Sequence, residues 1–331
     1  MDTLAKTKMQ TAQSVPQFGG SIGPLGAALG QIVNLLPRAT LQTYGFADRR
    51  VLKARTLGMI NAKEAGGNIS GKGFNVLEVM GEVSTQATRS GNVGGVFFDL
   101  DDTLVLTHRA DNLAQSAVLE LVKGTFPQVN RSVLLESFLE KFTVQAWDPE
   151  HKVEVTEWRA GLWAKALEEQ GLVNWDFARK MQDAFDRERL RAFRWASGVE
   201  ALVSELHAQQ IKVGIITNGH PVVQRAKLQA CNASELFDTI LVGGEEPRRK
   251  PHKDIFLKAC SLAGCKPEES VMVGDTLTTD ILGGINTGFL STVWVNVHNE
   301  ELPPTWPKPA HVISSISELK NVLKQLGVAF N

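Results

Sequence analysis

The stretch Val96-Phe97-Phe98-Asp99-Leu100-Asp101-Asp102-Thr103 decides how the rest of the chain is read. A short apolar run of strand type stops abruptly at three carboxylates and a hydroxyl. Comparable apolar runs recur at 211–217, 239–242, 270–273 and 292–295. Stretches with helical patterning separate them at 198–209, 222–230, 255–263, 278–286 and 314–326. Strands alternating with helices predict a parallel sheet covered on both faces.

The expected fold class is therefore α/β, a Rossmann-like three-layer parallel-sheet core. The gap between the first and second runs exceeds 100 residues, far beyond an ordinary crossover. It reads as amphipathic helices near 111–124, 131–146, 154–169 and 174–193, which predicts an inserted α-helical cap domain. The predicted organisation is a basic, glycine-rich extension over 1–92, a catalytic core from 93–104 and 198–331, and a helical cap over 105–197.

Open α/β sheets bind ligands at the carboxyl ends of their strands. Those ends carry Asp99 to Thr103, then Thr217-Asn218-Gly219, then Lys250-Pro251 beyond Gly243-Gly244, and finally Gly274-Asp275 with Asp280 five residues on. Any one of them alone is an ordinary turn, cap or surface residue. Together they suit phosphoryl transfer through a carboxylate nucleophile. Asp99 is the expected nucleophile, kept ionised by a cation and by Lys250. Asp101 is the expected acid/base. It must be protonated as the leaving alkoxide departs and then accept a proton from the attacking water. Thr217, Asn218 and Lys250 are expected to bind the transferring phosphoryl group. Asp99, Asp101 and Asp275 form the expected oxygen-rich site for Mg²⁺.

These four segments resemble the motifs of the haloacid dehalogenase-like hydrolase superfamily over 96–331. Within it, Val242-Gly243-Gly244-Glu245, the stretch from Val271 to Asp280, Gly283-Gly284-x-Asn286-x-Gly288 and Thr292-Val293-Trp294 resemble the sugar-acid phosphatase branch, as does Arg159-x-x-x-Trp163 in the insertion. That resemblance implies Mg²⁺, an aspartyl-phosphate intermediate and N-acylneuraminate 9-phosphate as substrate. Pyrimidine 5′-nucleotidases, which share much of the 283–288 stretch, and phosphoglycolate-type phosphatases are the alternatives. Asp102 stands where many members have Gly or Asn. In the insertion, Arg159 is a candidate partner for a substrate carboxylate, since a guanidinium fork suits that group, or else a surface ion-pair partner of Glu157 or a nearby helix acid. Trp163 is the tryptophan chosen to face the cleft and pack on a sugar. His220 could touch substrate, and a turn residue is the alternative.

Composition excludes several other classes. The 331 residues carry a net charge of −1, which gives no support to nucleic-acid binding. No apolar run is long enough for a membrane span, so the expected ligand is a small phosphorylated metabolite. Three irregularly spaced cysteines make neither a disulfide framework nor a zinc site, and they are expected to be reduced and buried. Residues 1–92 hold ten basic and five acidic side chains and read as disordered or transit-like. The expected compartment is the cytoplasm, or a mitochondrion or plastid if that extension is an address. Gly66 to Lys72 has P-loop spacing but lacks the following Ser/Thr, and it is not read as a phosphate loop.

Overall fold

The computed structural model describes residues 92–330. The transit-like reading and the P-loop decoy concern residues 1–91 and lie outside them. Six parallel strands form one sheet in the order β3-β2-β1-β4-β5-β6. They are β1 (Gly95–Phe98), β2 (Lys212–Thr217), β3 (Thr239–Val242), β4 (Ser270–Gly274), β5 (Ser291–Val295) and β6 (His311–Ile313). The strand β1 pairs with β2 on one side and β4 on the other, with Phe98 level with both Ile215 and Val273. The flanking strands run only one or two residues past it, to Gly274 and Thr217, which gathers three loops at one edge.

Both faces of the sheet are covered, because its strands are apolar on both faces. Val96, Phe98, Val213, Ile215, Val271, Val273 and Val293 enter the larger core, and Phe97, Ile216 and Met272 enter a smaller one on the opposite face. The chain leaves β1 into α1 (Thr107–Thr125), α2 (Arg131–Val144), α3 (Val155–Glu168) and α4 (Trp175–Ala192). Their start points follow from local chemistry. Asn130, Glu154 and Asn174 accept hydrogen bonds from the first free N–H groups of α2, α3 and α4. These helices close a core of their own around Phe138, Trp163, Leu167, Phe177 and Met181.

Trp163 corrects the expectation that it faces the cleft. It is fully buried, stacked on Phe138 with ring centroids 3.6 Å apart, and its indole N–H donates to Gln182. A large aromatic inside a four-helix unit contributes most as core. The chain then returns through α5 (Val199–Ala208), α6 (Pro221–Ala230), α7 (Ala233–Leu236) and α8 (Lys253–Ala263), and closes with α9 (Leu282–Thr287) and α10 (Leu319–Gln325). No described helix is long and apolar enough to cross a membrane. Cys231 and Cys260 are buried free thiols, whereas Cys265 is part-exposed.

Candidate active site

Asp99 is the first residue past β1, and its N–H donates to Val273 O at 2.9 Å, so the ladder to β4 holds its backbone. Its carboxylate lies 2.6 Å from Lys250 Nζ. Lys250 is almost wholly buried and also meets Ile216 O at 2.5 Å and Asp280 Oδ1 at 2.7 Å. The main chain at Lys250 is fixed by Asn218, whose amide donates to Lys250 O at 2.9 Å and accepts from Lys250 N–H at 3.1 Å. The Asn218 side chain is therefore engaged in placing Lys250. Thr217 is buried, and its hydroxyl accepts from Gln224 at 2.7 Å.

Asp280 reaches the cluster from a tight π-helical turn, Leu277–Ile281. Its Oδ2 accepts from Thr276 N–H at 3.1 Å. Gly274 makes this possible, since a Cβ there would sit 2.3 Å from that oxygen. Asp275 is steadied by its neighbours: Thr276 donates to its carboxylate, and Trp294 donates to its carbonyl at 2.8 Å. Asp99, Asp275 and Asp280 each offer an oxygen within 4.8 Å of the others. The carboxylate of Asp101 is not in that group and turns to Lys227 instead. Asp280 was legible as part of its motif but not as a member of this cluster, because a spacing of five gives no direction to the side chain without the turn.

Two of the three carboxylates, Asp99 and Asp280, share one ammonium here. Burial pushes the Asp99 carboxyl up to about 7 against the pull of Lys250, and burial followed by Asp99 and Asp280 raises Asp275 well above the carboxylate range. Burial alone would lower Lys250, but Asp280 and Asp99 outweigh it and keep the lysine charged. A surplus of clustered anionic oxygens is the donor set a hard divalent cation takes, so the residues fit Mg²⁺.

Asp101 points elsewhere. It meets Lys227 Nζ at 2.6 and 2.9 Å, Gln224 at 2.9 Å and the Thr107 hydroxyl at 2.5 Å. Burial would raise its carboxyl, but Lys227 and Arg189 outweigh that and hold it well below the usual range. In this arrangement Asp101 is an ionised carboxylate, so it has to take up a proton before it can act as the expected acid. Gln224 and Lys227 escaped the reading of the sequence. Their signal was available, because residues three apart on the helix after Thr217 share one face. Asp102 sits at φ 57°, a left-handed position that Gly and Asn enter more easily than most residues.

Opposite the Thr217 loop, the segment entering α3 brings Trp147 and His151 onto His220, with ring centroids 6.0 and 5.8 Å away. His220 Nδ1 is buried without a hydrogen-bond partner. Arg159 is buried against Phe142 and donates through Nε to Ala146 O at 3.1 Å. Glu157 pairs with Arg179 instead of Arg159. Burial, then the charge of Arg159, lowers the basicity of His220.

The comparisons agree with this geometry. Residues 93–288 match the model of the haloacid dehalogenase-like hydrolases. The chain is 32% identical to human N-acylneuraminate-9-phosphatase over 237 residues, 71% of this chain and 95% of that protein. It is 37% identical to a pyrimidine 5′-nucleotidase of Escherichia coli over 150 residues, 44% of this chain and 63% of that one. A magnesium-bound HAD-hydrolase from Bacillus subtilis shares the fold, with a TM-score of 0.53 at 23% identity over 72% of this chain and all of that one. The chain belongs to the haloacid dehalogenase-like hydrolases. Its reaction class is that of a phosphoric monoester hydrolase.

Proposed function

We propose that this chain is a Mg²⁺-dependent phosphatase acting on a sugar-acid phosphomonoester, with N-acylneuraminate 9-phosphate as the preferred substrate. The observation that carries the reading is Arg159. Its guanidinium is buried, pushed down to about 10 by burial and then by Arg189, and ion-paired with no carboxylate among the described residues. Asp186, Asp111 and Glu154 offset its charge without a direct ion pair, and a buried cation so placed suits a substrate that brings a second anion. The matches to human, mouse and rat N-acylneuraminate-9-phosphatases support the same reading, since each spans 71% of this chain, insertion included.

The proposed organisation keeps a core of 93–104 and 198–331 with the helical insertion of 105–197 as a cap. Asp99 attacks phosphorus and carries the phosphoryl group as an aspartyl-phosphate. Lys250 neutralises charge on Asp99 and on the transferred oxygens, and the Thr217 hydroxyl with the backbone N–H groups of its loop receives those oxygens. Asp99, Asp275 and Asp280 would hold Mg²⁺, which screens the phosphate charge from the nucleophile. To protonate the alkoxide, Asp101 must leave Lys227 and first take up a proton from solvent, and a movement of the cap relative to the core supplies the occasion.

Phosphate release from N-acetylneuraminate 9-phosphate, nucleoside monophosphates, phosphoglycolate and hexose phosphates tests the substrate. The expected result is a kcat/KM preference of roughly 100-fold for the sialic acid phosphate, or about 2.7 kcal/mol. Arg159→Met is expected to remove that preference while leaving turnover of a monoanionic-headed ester intact. Preference for a nucleotide would keep the mechanism and overturn the substrate.

A further inference from the structure

We propose that Cys260 and Cys265 are an oxidation site, at which a peroxide converts the two thiols into an intramolecular disulfide that thiol reductants reverse. The argument begins with how α8 ends. Gly264 enters the left-handed region at φ 73°. The Cys265 N–H then donates to Cys260 O at 3.1 Å, and the Gly264 N–H to Ser261 O at 3.3 Å. This paired closure brings the side chain one turn before the glycine against the side chain just after it, ordinarily as an apolar contact. Here both positions are cysteines.

The sulfurs meet at one place. Cys260 Sγ lies 3.5 Å and Cys265 Sγ 3.4 Å from the Oγ of Ser270, which itself donates to Lys266 O. Each thiol is the chief influence on the other's acidity, with Cys265 lowered to about 7 and Cys260 raised. Cys265 is also the part-exposed member. A lowered thiol pKa, exposure and an adjacent resolving thiol are the features that direct oxidation. Gly95 leaves the room, since a Cβ there would lie 2.7 Å from Cys265 Sγ.

The chemistry balances in two steps. The Cys265 thiolate attacks one peroxide oxygen, the O–O bond breaks, and the departing hydroxide takes a proton and leaves as water. The Cys260 sulfur then attacks the sulfenic sulfur, forming S–S and breaking S–O, and its own proton leaves with the second oxygen as water. The pair is oxidised by two electrons and the peroxide is reduced.

The pair sits at the start of β4, and Asp275 follows its end, so oxidation is not expected to reach the carboxylates. The test uses the full chain, reduced, treated with hydrogen peroxide, alkylated and digested with trypsin. Trypsin does not cut ahead of Pro267 or Pro309, so residues 259–320 form one tryptic peptide with both cysteines. The expected result is that this peptide carries no label and is lighter by two hydrogen atoms, and that dithiothreitol restores both labels. Phosphatase activity is expected to stay unchanged throughout. A sulfenic-acid trap such as dimedone should label Cys265 in Cys260→Ser and much less in the parent chain. Equal trapping in both proteins, labelling of both cysteines after peroxide, or oxygen uptake on Cys265 without cross-linking would each overturn the proposal.

Discussion

At the scale of single residues, the site is governed by which carboxylates find a cation. Asp99 and Asp280 share Lys250, and all three are almost wholly removed from solvent. Replacing Lys250 with Met leaves two buried carboxylates without a partner. Urea denaturation should show a loss of about 3–5 kcal/mol, and phosphate release should be abolished. Asp99→Asn keeps the shape but removes the nucleophile, so turnover should vanish while the urea midpoint changes little or rises. Asp101 and Lys227 give a pH signature. The folded-state carboxyl of Asp101 lies below its unfolded value, so its contribution is present above the ordinary carboxylate range and is lost as pH falls toward the folded value. Lys227→Met should therefore destabilise the protein at neutral pH, and the gap to the parent should narrow as pH drops below about 4 in denaturant titrations. The acids and Lys250 were legible one by one, because strand ends point them to one edge. Lys227 and Gln224 were not, since a lysine on a helix is ordinarily a surface residue.

At the scale of elements, the apolar runs identified five strands, and the sixth, β6, is only three residues long with half-exposed positions. A strand that short carries no alternation to read. The segment 314–326 reads as one helix but is broken near its start. Ser315 caps the Ser317 N–H, and Ser314 donates to Glu318, so the helix α10 begins only at Leu319. Side-chain hydrogen bonds to the local backbone compete with helix in this way. The helix α9 depends on close approach, since a Cβ on Gly283 would lie 2.1 Å from the Phe256 ring of α8. Gly283→Ala should lower stability by roughly 1–3 kcal/mol, read as a fall in melting temperature. Trp163→Ala removes a stacked ring from the helical insertion and should cost about 3–5 kcal/mol, read by denaturant unfolding.

At the scale of the whole molecule, the sheet supplies the scaffold and the insertion supplies one wall of the site. A chelator should abolish phosphate release, and Mg²⁺ should restore it. A readout independent of turnover is thermal stability. Saturating Mg²⁺ at about 100 times its Kd should add roughly 2.7 kcal/mol, and that gain should disappear in Asp275→Asn. Residues 93–331 are expected to fold and release phosphate by themselves, as measured by circular dichroism and turnover of the purified fragment.

The sequence by itself determined the parallel α/β sheet, the helical insertion and the carboxylates at its edge. Strand periodicity is local, and residues that follow strand ends need no further folding information to be placed at one edge. Only the tertiary structure decided where those side chains turn. It drew Asp280 into the acidic cluster through a tight turn that Gly274 leaves room for. It gave Asp101 to Lys227, put Trp163 into the helical core, and set Asn218 to hold the Lys250 backbone. Each of these outcomes depends on a partner far away in the chain. A buried polar group takes the partner that packing brings within reach, and no spacing in the sequence records which one that is.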